Sequence, residues 1–254
     1  MKFCYIITEG PHDVELIGKI LKMNGVRRVQ LLKKLEDYWI DMIPKNYPPD
    51  GDLMKRVPVP AFFQNESVSV AVHAAGSLTR IPAILNATLL NKSDKETKLD
   101  AVGVVIDADM DLVPSFQKCI RDIGDEQLTF SALGTPGEIV DGSPRIGVYV
   151  LPDNEHPGTL ESMVLDGAQV IYPDLLESAQ KFVDEADPSY KELAGWKPAD
   201  RNKAVIGCIA NIHKPGKANQ VSIGDNDWIS ETTRNQVPSI QQMEQFLKKL
   251  IGME

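Results

Sequence analysis

Cysteine is scarce in this chain. Cys4, Cys119 and Cys208 are the three in 254 residues. They are widely separated, with no pair at zinc-ligand spacing, which excludes a disulfide framework and leaves reduced, mostly structural thiols. The histidines His12, His73, His156 and His213 are scattered too, so none reads as a zinc ligand. No apolar run approaches the roughly 18 residues of a membrane span. The opening residues already carry a strand pattern, which leaves no room for a signal peptide. The expectation is a cytoplasmic protein with no membrane partner. Positive charge is also in deficit: the formal net charge is −9. That argues against a broad, nonspecific nucleic-acid binder, which carries a basic face, although divalent cations held by clustered acids offset part of such a charge. No internal repeat, low-complexity segment or GxxxxGK[ST] phosphate loop is present. What remains is ordinary for a globular chain, 43% hydrophobic and 25% charged. The length suits one large domain or a core domain with an appendage.

Up to about residue 166 the pattern alternates between strand and helix. Strands are expected at Phe3 to Thr8, Arg28 to Leu32, Ser67 to His73, Ala101 to Ile106 and Ile146 to Leu151. Helical patterns run from Val14 to Met23, Leu78 to Leu90 and Leu112 to Asp122. Such alternation predicts an α/β fold with a mainly parallel sheet flanked by helices, and such folds bind ligands at the carboxyl ends of their strands. After about residue 172 helical patterns take over, at Pro173 to Asp184, Ala199 to Ile212 and Pro238 to Ile251, the last closed by Gly252. The expected division is an α/β domain over residues 1–170 and a helical C-terminal appendage over 171–254. The turn-rich "HKPGKANQVSIGDNDW" shows no clear secondary structure.

Between Glu36 and Glu66 repeated prolines and several aromatics break the alternation, and a long irregular segment of this kind reads as an insertion. Its Tyr38, Trp39, Tyr47, Phe62, Lys45, Lys55 and Arg56 suit a lid that stacks on bases. The plainer role is packing of the aromatics against the sheet edge.

Two acidic groups stand out. In "IITEGPHDVE" Glu9 and Asp13 sit where the first strand turns into a helix opened by Pro11. Asp13 has a simple explanation, because a carboxylate in the first helical turn is stabilised by the helix dipole; Glu9 has none. In "VVIDADMD" a buried-looking strand runs into Asp107, Asp109 and Asp111. In extended backbone alternate residues share a side, so the three carboxylates are expected to converge. An EF-hand is excluded, because Leu112 and Lys118 stand where it requires Gly and Glu. A helix cap explains Asp111 but not the other two, and a phosphoaspartate receiver fits the spacing poorly. Paired magnesium sites account for the group best, since Mg²⁺ takes carboxylate and water oxygens and leaves positions open for a phosphate.

Glu9-Gly10 with Asp13 after one strand, "HAAGS" with Gly76 after another, and Asp107-Ala-Asp109 after a third resemble the Toprim domain. That domain is shared by topoisomerases, bacterial primases, small recombination and maturation nucleases and the OLD-family nucleases. The segment "PGTLESMVLD" resembles the OLD-like branch, whose additional metal-binding glutamate corresponds to Glu161, with Thr159 as its helper. Read without the resemblance, Thr159 is a helix N-cap and Glu161 a residue favoured by the helix dipole.

The resemblance covers roughly residues 1 to 166. It implies Glu9 and Asp107 as central ligands of Mg²⁺ or Mn²⁺, Asp109 and Glu161 completing two sites, and Asp13 as ligand or outer acid; Asp111 exceeds the pattern. Glu9, Asp107, Asp109 and Lys203 would be the catalytic residues, Lys203 serving the scissile phosphate, with a solvated lysine on a helix face as its plain reading. His12 lies nearest the acids and could contact a phosphate. The resemblance thus implies a stand-alone Toprim nuclease acting on nucleic acid, DNA ahead of RNA, with a separate ATPase or targeting protein as its partner. A metal-assisted nucleotide-binding or regulatory module with little turnover is the other reading, and the acidic composition suits it.

Overall fold

The computed structural model describes residues 1–46, 59–93 and 96–253. Side chains along β1 (Lys2–Thr8) alternate between two cores: Cys4 and Ile6 face one, and Phe3, Tyr5 and Ile7 the other. A strand buried on both faces is the signature of the centre of an α/β layer fold. β1 lies between β4 (Val68–Ala74) and β5 (Ala101–Asp107), and β5 pairs in turn with β7 (Arg145–Leu151), all in parallel. Antiparallel strands close the edges: β3 (Ala61–Gln64) and β2 (Arg27–Arg28) beyond β4, and β6 (Ile139–Val140) beyond β7. The seven-stranded order is β2-β3-β4-β1-β5-β7-β6.

One face is covered by α1 (Pro11–Met23), α4 (Leu160–Ile171), α5 (Pro173–Glu185), α7 (Asp200–His213), α8 (Asn219–Asp225) and α10 (Pro238–Ile251), whose apolar residues join one core. The other face is covered by α2 (Ile81–Ser93) and α3 (Leu112–Ile123). Two shorter helices, α6 (Pro188–Leu193) and α9 (Glu231–Arg234), connect the C-terminal helices. Close approach of α10 depends on Gly103 of β5: a Cβ there would stand 2.6 Å from Leu250 Cδ2. Among the described residues no helix is long and apolar enough to cross a membrane.

The α/β class, the mainly parallel sheet and the helical C-terminal region agree with the sequence patterns. Three local expectations are corrected. The strand at Arg28 to Leu32 shrinks to Arg27–Arg28, because β3 pairs with those two residues and the chain then turns into a short 3₁₀ helix at Leu32–Lys34. The insertion contains ordered structure, including β3 and a 3₁₀ helix at Asp37–Met42. The turn-rich segment near residue 220 holds α8.

The described aromatics Tyr38, Trp39 and Phe62 of the insertion pack rather than project. Tyr38 stacks on Phe3 with centroids 4.2 Å apart, and the fully buried Trp39 donates its indole N–H to Ser69 Oγ at 2.9 Å. Phe62 is buried in the same cluster. Of the residues named for a lid, Tyr47, Lys55 and Arg56 lie outside the described residues.

Candidate functional site

Because β4, β1 and β5 run parallel, their carboxyl ends open on one edge, where the chain leaves β1 for α1 on one face and β4 for α2 on the other. Such an edge is where α/β sheets take ligands. Glu9 and Gly10 follow β1 directly, and Asp107 ends β5. The Oε1 of Glu9 accepts the main-chain N–H of Asp107 at 3.2 Å. Asp107 Oδ1 accepts the N–H of Leu160, the first residue of α4, at 2.9 Å. Free N–H groups at a helix start attract anions, and here a carboxylate from another strand takes that place. Gly76 donates its N–H to the Glu9 carbonyl at 2.8 Å, with a φ of +88° that only glycine adopts without strain. The three motifs are thereby joined through main-chain groups.

Asp13 stands in the first turn of α1 and accepts the Gly10 N–H at 2.7 Å through Oδ2, so the helix-capping explanation holds for one of its oxygens. Thr159 precedes α4 and donates its hydroxyl to Glu161 Oε2 at 2.7 Å. His12 Nδ1 lies 3.9 Å from Glu161 Oε1, too far for a hydrogen bond. Glu9, Asp13, Asp107, Asp109 and Glu161 line one cleft of about 240 Å³, with Gly76, Thr159 and, from α7, Lys203. Lys203 is exposed and 3.4 Å from Asp200.

Asp109 and Asp111 diverge from the convergence expected of three aspartates. β5 ends at Asp107, Asp109 adopts a φ of 52°, and Asp111 donates its N–H to the Ala108 carbonyl in a turn. The alternation of extended backbone is lost there. Asp109 stays on the rim of the cleft with its N–H held by the Gly158 carbonyl at 2.9 Å, whereas Asp111 is carried off to the N-cap of α3, outside the cleft lining.

The charges are unbalanced. Burial pushes Asp107 well above the usual carboxylate range, aided by the charges of Asp13 and Glu9 and opposed by the Leu160 N–H. Burial also lifts Asp13 to about 7; the Gly10 N–H opposes the rise, and the charges of Glu9 and Glu161 add to it. Glu9 is raised by burial against the Asp107 N–H, with Asp109 adding to the rise. Glu161 alone moves down: burial acts upward, but His12, the Thr159 hydroxyl and Lys203 together outweigh it.

An all-oxygen set of carboxylates, crowded and short of positive charge, fits a hard divalent cation and not a thiolate or imidazole metal. Among the described residues no three His, Cys, Asp or Glu side chains already stand at ligand spacing. Glu9, Asp13, Asp107 and Glu161 each give one oxygen to a hydrogen bond within the protein. The part played by the Leu160 N–H is the feature of the site that sequence reasoning misses. A signal for it exists, since an expected helix start after Thr159 leaves an orphan donor there.

Residues 5–252 match a family described as "Protein of unknown function (DUF3226)". The chain belongs to that family. No curated protein matches it. Among solved structures it is similar to the hypothetical protein PH0156 from Pyrococcus horikoshii OT3, at 18% identity and a TM-score of 0.54, over 98% of this chain and 95% of that one. It is also similar to the C-terminal region of the OLD protein of Xanthomonas campestris pv. campestris, at 12% identity and a TM-score of 0.42, over 98% and 96%. The first likeness concerns the fold alone, and the second adds nothing to it.

Proposed function

We propose that this member of the DUF3226 family is a divalent-cation-dependent phosphodiester hydrolase of the Toprim type, acting on nucleic acid through the acidic cleft. The observation that carries the reading is the gathering of Glu9, Asp13, Asp107 and Glu161, from three separate motifs, at the carboxyl ends of parallel strands. A bound Mg²⁺ or Mn²⁺ supplies Lewis acidity and positive charge to the phosphodiester. Glu9 and Asp107 would hold it through the oxygens left free by their main-chain bonds, with Asp13, Asp109 and Glu161 around them. Those bonds fix the orientation of both side chains, which limits the reorganisation needed on binding.

The remaining work falls to two basic side chains. Lys203, among the residues lining the cleft, offers a donor able to hold a nonbridging phosphate oxygen against the surrounding carboxylates. His12, beside Glu161 and half-buried, is placed to contact a phosphate. Asp111 has no part in the cleft.

A second reading, a metal-assisted nucleotide-binding or regulatory module with little turnover, is favoured by the formal net charge of −9, which suits a broad nucleic-acid surface poorly. Incubation with supercoiled plasmid, linear single-stranded DNA and RNA in Mg²⁺ or Mn²⁺ separates the two. Cation-dependent cleavage by the wild type and none by Asp107→Asn is the expected result. Cleavage that survives Asp107→Asn would overturn the hydrolase reading, and cation binding without cleavage would favour the regulatory module.

A further inference from the structure

The acidic cleft is not the roomiest concavity of the molecule. A groove of about 380 Å³ lies between α1, β2 and α8, lined by Lys19, Lys22, Arg27, Arg28, Glu15 and Asp225. In a chain of net charge −9, four cations against two carboxylates in one groove run opposite to the composition. Glu15 is already spoken for: it takes both terminal nitrogens of Arg28, at 2.9 and 3.0 Å. Asp225 is bonded to Lys214. Lys22 and Arg27 are exposed and form no ion pair among the described residues. Lys19 is half-buried, and burial together with the nearby Lys22 and Lys214 holds it below the usual lysine range, against the pull of Asp227 and Asp225.

The groove and the cleft share helix α1. His12, at the cleft, and Glu15, Lys19 and Lys22, at the groove, follow one another at three- and four-residue spacing and form a single stripe on that helix. From His12 to Lys22 the helix rises about 15 Å. That is several times the roughly 3.4 Å axial rise per nucleotide of a strand, and so spans more than one phosphate. A strand with one phosphate in the cleft therefore brings a flanking phosphate to the groove.

We propose that this groove seats the phosphodiester backbone flanking the cleft, so that Lys22, Arg27 and Lys19 hold single-stranded nucleic acid a few nucleotides from the reacting phosphate. The assignment rests on the hydrolase reading for its substrate class and on the groove's own charge for its place. It also answers the objection raised by the acidic composition, because contact with nucleic acid needs a local basic strip and not a basic protein.

The test is equilibrium binding of a fluorescein-labelled 12-nucleotide single strand, followed by anisotropy across a salt series, in chelator and in Ca²⁺. The proteins are wild type, Lys22→Glu/Arg27→Glu, and Lys181→Glu/Lys197→Glu as a double reversal of equal charge elsewhere. Melting temperatures establish that each variant is folded. The groove variant is expected to bind roughly tenfold or more weakly, with a salt slope shallower by about 0.7 for each phosphate that the groove no longer neutralises. Lys22→Arg should bind like the wild type, and the reversal elsewhere should change little. Equal weakening in both double variants would mean a general charge effect and overturn the assignment. So would binding indifferent to the groove variant, or no binding by the wild type at low salt. Cleavage is scored separately with plasmid: a cutting enzyme whose binding ignores the groove variant loses the groove alone. A protein that binds through the groove but cuts nothing loses the hydrolase reading alone.

Discussion

The carboxylate of Glu9 and the main-chain N–H of Asp107 meet at 3.2 Å across two neighbouring strand ends. One motif therefore orients the other, and each change at the site acts on both. Glu9→Gln keeps an oxygen for that bond and removes a charge. Glu9→Gln and Asp107→Asn are accordingly expected to fold, and to lose cation-dependent cleavage by a factor of about 100 or more, roughly the scale of removing a main electrostatic stabiliser. Asp111→Asn, outside the cleft, should stay within a few fold. Plasmid nicking rates for the three purified variants check this ordering.

Metal-free stability should depend on pH in an unusual direction. Asp13 is lifted from 3.8 to about 7 in the folded protein, and Glu9 and Asp107 move the same way. From about pH 4 to 7 the folded state then binds more protons than the unfolded one, so this contribution falls as pH rises through that window. Glu161, which is shifted downward, opposes it only at the acid end. The melting temperature in chelator is expected to be higher near pH 5.5 than near pH 8, and millimolar Mg²⁺ should narrow the gap. Asp13→Asn keeps an acceptor for the Gly10 N–H while removing the buried charge. It should raise the chelator melting temperature at pH 8 and blunt the response to Mg²⁺. A flat profile in the wild type would count against an unbalanced acidic cleft.

Thr159→Val replaces the hydroxyl that serves Glu161 Oε2 with a methyl of similar size. Removing a buried hydrogen bond to a charged group costs about 1.5 to 3 kcal/mol, or roughly 3 to 12 °C in a chain of this length. Thr159→Ser, which keeps the hydroxyl, should recover most of it. Thermal melts of the pair distinguish a hydrogen-bond role from simple packing.

Gly76→Ala introduces a Cβ at a φ of +88°, a strain of about 1 to 2 kcal/mol. Because the Gly76 N–H holds the Glu9 carbonyl, the expected result is a lowered melting temperature together with weaker Mg²⁺ stabilisation. Gly195→Ala, also at positive φ but not among the residues lining the cleft, should lower the melting temperature and leave the Mg²⁺ response intact.

The central strands were legible because buried parallel strands are written as short apolar runs, and β1, β4, β5 and β7 all are. β3 was hidden by the prolines before it, and its pairing to β4 is a tertiary fact. α8 was hidden by its glycine and β-branched residues, which disfavour helix until packing against α1 decides. At the site, Glu9, Asp107 and Glu161 could be read from their positions at element ends. The divergence of Asp111 could not, because it follows from the backbone turn at Asp109. Lys203 carried almost no signal in sequence, since only the packing of α7 brings it to the cleft.

The tight seat of Leu250 over Gly103 bears on how the chain matures. Synthesis proceeds from the amino end, so β1, β4, β5 and β7 emerge long before α10, which contributes Met243, Phe246, Leu247 and Leu250 to the core on one face of the sheet. Until those last turns arrive, that face has no complete cover and the apolar strands beneath it are open to wrong partners. The nascent protein must therefore wait for α10 before β1, β4, β5 and β7 are safe from aggregation, and a ribosome stalled shortly before residue 238 would hold a fully written acidic cleft on an unsealed sheet.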